Sequence, residues 1–137
     1  MTVYATLSDL IERAGEDEIL QVADRDRDGV ADPDVIDKAI ATAGTEIDGY
    51  IGTRYRLPLP AVPGLINTWA VSIARYHLHL NGPPDHVVRD WKAAMDALRD
   101  VTVGKINLPF DDVNQQPSDG AGRVTLVRPN FNYEGFL

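Results

Sequence analysis

The stretch EIDGYIGTRYRLPLP, residues 46–60, contains the clearest change of backbone pattern in the chain. Up to Tyr55 the apolar residues recur three and four positions apart, which is the period of one face of an α-helix. Pro58 and Pro60 then end the helix, because proline lacks a backbone N–H and disfavours helical geometry in the residue before it. The stretch therefore predicts a long helix that stops at an extended turn.

The same period predicts further helices on both sides of this turn. The long helix extends back to a start at Asp32 or Asp34, with Pro33 in its first turn. Thr6 or Ser8 is a candidate N-cap for the first helix. The predicted helices cover residues 6–15, 16–24, 34–55, 64–82 and 84–104. We expect an all-α fold, a small bundle of four to five helices.

The helical period is lost towards the C-terminus, where proline, glycine and asparagine recur at short intervals. We divide the chain into a helical domain, residues 1–108, and an extended, partly β C-terminal arm, residues 109–137. Within the arm, residues 123–129 (RVTLVRP) alternate as a strand does. A lone strand needs a partner for its backbone groups, so we expect this one to pair with another chain.

Composition limits the functional classes. The 137 residues are enough for one domain with its own core. The absence of cysteine excludes disulfides and thiolate metal sites. We find neither an apolar run of about 18 residues nor a signal-peptide pattern, and we expect no membrane association and synthesis in a host cytoplasm. The first 50 residues hold thirteen acidic and four basic side chains, so that part of the chain should repel nucleic-acid backbones.

The stretch DRDRDGVADPDV, residues 24–35, resembles the start of an EF-hand loop. Asp24, Asp26, Asp28 and Asp32 occupy ligand positions 1, 3, 5 and 9, but position 12, normally a bidentate carboxylate, is Val35. We favour an Asp-rich turn that caps the following helix. The alternative is a calcium-binding protein-interaction module, which predicts that calcium raises the melting temperature.

No combination of residues predicts catalysis. The chain has neither a nucleophile elbow nor a phosphate-binding loop. His77 and His79 are two positions apart on a predicted helix, so they cannot chelate one ion, and we expect His77 to be a hydrogen-bonded core residue. We expect no enzymatic activity and no cofactor.

The turn after the long helix is a candidate interaction surface. Arginine and tyrosine are enriched at protein interfaces, and the prolines present an extended backbone. An equal alternative is a helix–helix connection whose leucines cover the core. The candidate interface residues here are Arg54, Tyr55, Arg56, Leu57 and Pro58.

Four motifs together carry a resemblance to a known family. They are an Ile-Asp-x-Tyr helix at residues 47–50, an Arg-Tyr-x-Leu-Pro-Leu turn at 54–59, an Ala-Arg-Tyr helix at 74–76, and a closing helix that ends near Gly104. Over about residues 1–108 this order resembles the Mu-like phage family long catalogued as a domain of unknown function. Its members look like the head–tail connectors, or adaptors, of long-tailed phages.

The resemblance implies a structural protein of the virion neck. Such adaptors form a homo-oligomeric ring, usually of twelve subunits, beneath the portal protein, and they extend the DNA channel without sequence-specific DNA binding. A downstream neck or tail-terminator protein would be the second partner. We expect the C-terminal arm to dock on a neighbouring protein through its apolar residues, which are Val124, Leu126, Phe131, Tyr133, Phe136 and Leu137.

Overall fold

Five α-helices form the framework of the protein in a computed structural model that describes residues 3–110. No strand occurs within this range, so the predicted all-α bundle of four to five helices is confirmed. The strand predicted at 123–129 and the six docking residues of the arm lie outside the described residues. The helices are α1 (Leu7–Ala14), α2 (Glu16–Ala23), α3 (Pro33–Ile51), α4 (Gly64–Leu78) and α5 (Asp85–Thr102).

The first two helices are separated by one glycine. Thr6 caps α1, since its hydroxyl accepts from the Asp9 N–H at 3.3 Å while Asp9 accepts from the Thr6 N–H at 2.9 Å. Gly15 then ends α1 with a φ of 91°, which other residues rarely adopt, and α2 begins at the next residue. The predicted cap and stop are both confirmed.

The long helix α3 ends at Ile51, earlier than the predicted end at residue 55. A tight turn replaces its last predicted turn: the Thr53 hydroxyl donates to the Tyr50 carbonyl at 2.8 Å. The Tyr55 N–H still donates to the Ile51 carbonyl at 2.8 Å, as it would in a helix. Tyr55 therefore stays on the buried side of α3, which is why the apolar spacing continues beyond the helix end.

Helix α4 is the centre of the bundle. It packs against α1, α3 and α5, and nine of its 15 residues are buried, so it is covered on more than one face. Two leucines within the predicted helix 64–82 are exposed. Leu65 lies in the first turn with 50% of its surface exposed, and Leu80, 67% exposed, follows the helix end at Leu78.

A buried arginine on α4 holds α2 in place. The Arg75 guanidinium makes two hydrogen bonds to the Glu18 carboxylate, at 2.6 and 2.7 Å, and only 8% of the Arg75 side chain is exposed. His79 lies 3.2 Å from the same carboxylate, and Asp90 of α5 lies 3.9 Å from the guanidinium. A buried charge requires such partners, so α2, α4 and α5 are joined at this point.

We expect Glu18→Gln to lower the free energy of unfolding by about 1–3 kcal/mol at pH 7, because it leaves the buried Arg75 charge with a weaker partner. The hydrogen bond from Arg75 holds the pKa of Glu18 below its ordinary value of 4.5, against the opposing effect of desolvation. The stabilisation is therefore complete above pH 4.5 and is lost as the pH falls through the lowered pKa.

Urea unfolding of the unmodified protein and of Glu18→Gln, from pH 7 down to below pH 4.5, measures the effect. Glu16→Gln is the matched control, since Glu16 is an exposed glutamate in the same first turn of α2. An equal loss of stability in the two variants would contradict a specific role for Glu18.

Candidate functional site

The loop between α2 and α3 brings its four aspartates together. One carboxylate oxygen from each of Asp24, Asp26, Asp28 and Asp32 lies within 4.8 Å of the others. Residues 24–32, which we call the Asp-rich loop, thus have the convergence that the EF-hand-like spacing predicts. Whether the cluster binds a metal ion stays a prediction.

The carboxylates of the Asp-rich loop accept hydrogen bonds from its own backbone. Asp24 accepts from the N–H groups of Asp28 and Gly29 at 3.0 and 2.8 Å, and Asp28 accepts from that of Val30 at 2.9 Å. Asp32 stands at the N-cap of α3, but its side chain accepts from the backbone N–H of Arg25 at 3.0 Å and makes no capping bond to the helix. These bonds organise the loop, so the expected capping of α3 by the loop carboxylates is wrong for Asp32.

The fit of a calcium ion is incomplete at the position that normally closes the coordination sphere. Val35, at position 12, packs partly buried against the hydrophobic core, so its side chain supplies no oxygen. Asp34, one residue earlier, is exposed. The four aspartates would provide the ligands for any ion bound here, and their unscreened charges repel one another in its absence.

One carboxyl of the cluster has a raised pKa. Desolvation, the hydrogen bond with Asp24 and the charges of Asp28 and Asp32 raise the pKa of Asp26 to about 6. For Asp24 desolvation acts in the same direction, but the donated hydrogen bonds of Gly29 and Asp28 outweigh it and lower the pKa of Asp24. Asp26 is therefore the group in the loop that favours a proton or a cationic neighbour.

We expect Asp26→Asn to raise the melting temperature at pH 7 in the presence of a chelator. The folded state holds the Asp26 proton up to about pH 6, whereas the unfolded chain releases it near 3.8. A raised carboxyl pKa means that the fold loses stability as the pH rises through this window, and the substitution removes that loss.

Thermal unfolding at pH 4 and pH 7 measures the effect, and the gain should shrink towards zero at the lower pH. Asp37→Asn removes an exposed aspartate of α3 and serves as the control. A gain of equal size at both pH values would disprove the assignment.

The turn that follows α3 is joined to the segment that follows α5. The Arg54 guanidinium donates to the carbonyls of Val101 and Ile106 at 2.6 and 3.2 Å, and to the Asn107 side chain at 2.8 Å. The buried Tyr55 hydroxyl accepts from the Leu108 N–H at 2.9 Å. Arg54 and Tyr55 thus brace the bundle from within. Their place at a subunit interface stays a prediction.

A groove lies between this turn and the segment that follows α5, and we call it the end groove. Its volume is about 430 Å³. Arg56 and Pro58, both predicted interface residues, are exposed, whereas Leu57 packs partly buried against the core. Their place at a subunit interface stays a prediction. The lining residues are Tyr55, Arg56, Pro58, Leu59, Pro60, Pro109 and Phe110.

We expect Arg54→Ala to lower the free energy of unfolding by about 1–3 kcal/mol, because it removes the charged donor from the carbonyls after α5. Arg56→Ala, two residues away and exposed, should change it by less than about 0.5 kcal/mol. Denaturant unfolding gives both values, and amide exchange at Leu108 reports directly on the brace. Equal effects of the two variants would show that Arg54 does not have this role.

Sequence reasoning missed the ion-pair network around Arg75. The available signal was a single arginine in the apolar run AVSIARY, residues 70–76, where an unpaired charge would be costly. The histidines are held by different carboxylates, His77 by Glu46 at 2.6 Å and His79 by Glu18. His77 is hydrogen-bonded as predicted, but it is half-buried rather than in the core.

Within residues 3–110, no helix has the length and apolarity needed to cross a lipid bilayer. The described residues define a small all-α protein, and sequence comparison assigns its family. The chain belongs to the Bacteriophage Mu Gp36 family, whose model matches residues 4–126. This affiliation confirms the resemblance to Mu-like phage proteins.

Two relatives illustrate the match. The Mu-like prophage FluMu protein gp36 of Haemophilus influenzae is 32% identical over 123 residues, which cover 88% of this chain and 87% of the relative. Gene product J of Escherichia phage Mu is 30% identical over 103 residues, covering 74% and 73%. Both matches extend over most of each chain.

Proposed function

We propose that this phage protein is a structural component of the virion neck, a head–tail connector that assembles as a ring beneath the portal protein. The observation that carries the proposal is the family match over residues 4–126, which includes all five helices and the turn at 54–59. The ring, usually of twelve subunits in such adaptors, would extend the DNA channel towards the tail. A downstream neck or tail-terminator protein would bind its other side.

The distribution of charge supports passage of DNA without binding. The acidic residues are concentrated in the first 50 positions, and outside the Asp-rich loop Glu12, Glu16, Asp34 and Asp37 are exposed. A channel surface of this sign repels phosphates and leaves DNA mobile. The buried polar residues Ser72 and Arg75 are both hydrogen-bonded to other side chains, and the proposal includes no catalytic step and no cofactor.

The bundle itself is built as a stable unit that other proteins could contact. Arg75 and Arg54 join its helices through multiple hydrogen bonds, while the end groove and the Asp-rich loop stay open at its surface. The C-terminal arm would add contacts with the portal, and the repetition of weak contacts around a ring gives tight attachment through multivalency.

We expect truncation after residue 110 to leave a folded bundle that no longer binds the portal protein. The five helices and the bonds of Arg54 and Tyr55 lie within the retained residues, whereas the proposed portal contact lies in the removed arm. Thermal unfolding checks the fold, and light scattering measures the mass of each protein alone and mixed with portal. The full chain should form particles with the mass of a ring, either by itself or after portal protein is added. Undiminished portal binding by the truncated protein would refute the role of the arm.

The same measurements separate the proposal from the calcium alternative. A full chain that stays monomeric without portal affinity, and whose melting temperature rises with calcium, would support a calcium-dependent interaction module instead. Asp24→Ala combined with Asp26→Ala should then abolish the calcium shift.

A further inference from the structure

The two open surfaces lie at opposite ends of the same helix. The Asp-rich loop directly precedes the first residue of α3, and the turn that forms most of the end groove directly follows its last. At about 1.5 Å per residue, the 19 residues of α3 separate them by about 28 Å. Neither surface can therefore reach the other within one copy.

The Asp-rich loop presents one apolar side chain among its carboxylates. Val30 is 62% exposed, although the hydrogen bond from its N–H to Asp28 fixes its backbone. Asp26 and Asp28 are exposed on the preceding positions. Arg25 and Arg27 are exposed in the same loop, so its four aspartates and two arginines surround the apolar tip with a net charge of −2.

The end groove has the complementary character. Proline, leucine and aromatic side chains form most of its lining, and the exposed Arg56 supplies a positive charge. Lys105 is exposed at the same end of the bundle, since it follows α5 beside the carbonyls that Arg54 holds. The bonds of Arg54 and Tyr55 shape this groove before any partner arrives, which lowers the entropy lost on binding.

We propose that Val30 of one copy inserts into the end groove of the next copy, with the loop aspartates facing Arg56 and Lys105, so that copies associate head to tail along α3. Two different surfaces meet in such a contact, which makes it heterologous, and heterologous contacts generate closed rings when the rotation closes. The inference rests on the proposed ring and names the surfaces that build it. It places α3 along the ring circumference.

Cysteine cross-linking tests this contact, because the chain has no cysteine of its own. Val30→Cys and Pro60→Cys each place one thiol on one of the two surfaces. A disulfide requires Cα atoms within about 7 Å, so a bond between these positions can form only between copies. Asp37→Cys, on an exposed position of α3, measures random collision.

After mild oxidation, mixed Val30→Cys and Pro60→Cys proteins should give a band at twice the 15.1 kDa monomer mass. The band should be absent from the mixture of Val30→Cys with Asp37→Cys. The chain carrying both Val30→Cys and Pro60→Cys should form a ladder of higher multiples. Adding Arg56→Glu to the Pro60→Cys protein should reduce the dimer band, because it reverses the charge that faces the aspartates.

Light scattering on the unmodified chain, alone and with portal, separates the two proposals. Ring-sized particles without the Val30–Pro60 cross-link would overturn the head-to-tail contact and leave the connector function standing. Equal cross-linking of Val30→Cys with itself would show a symmetric contact and also overturn it. A chain that neither assembles nor cross-links, with portal or without, would refute both.

Discussion

The buried charge of Arg75 is the constraint on which the rest of the bundle depends. Helix α4 is covered on several faces, so an arginine there must find its partners inside the protein. Glu18 supplies a two-bond partner and thereby fixes α2 against α4. The end of α2 in turn places the Asp-rich loop, whose Asp32 N–H donates to the Ala23 carbonyl at 3.0 Å at the start of α3.

A second arginine performs the equivalent task at the opposite end of α3. Arg54 donates to the Val101 carbonyl in the last turn of α5 and to the Ile106 carbonyl that follows the helix. Arg54 thus fixes the C-terminal end of the long helix, whereas Arg75 fixes α2, which is joined to the start of α3 by the bond between Asp32 and Ala23. The surfaces displayed there, one acidic with an apolar tip and one apolar with cations, are held at a defined separation, which is what repeated subunit contacts require.

The candidate sites were predictable to different degrees. The Asp-rich loop was found from spacing alone, because its ligand positions are local in the chain and the turn bonds form between neighbours. The turn at 54–58 was found as unusual, but its two interpretations could not be separated. Arg54 and Arg56 are both arginines of the same turn, so the sequence does not distinguish them. In the structure the end of α5 and the segment after it lie beside Arg54 and bond to it, while Arg56 is exposed.

The sequence by itself determined the all-α class, a bundle of four to five helices, a first cap at Thr6 or Ser8 and the stop at Gly15, since each depends on side-chain period or on contacts a few residues apart. The tertiary structure alone decided that α3 ends at Ile51, that Arg75 pairs with Glu18 and that Leu80 is exposed. These features depend on which distant segments meet in space. The spacing of apolar residues along the chain does not show which distant segments will meet, because burial is a property of the assembled bundle.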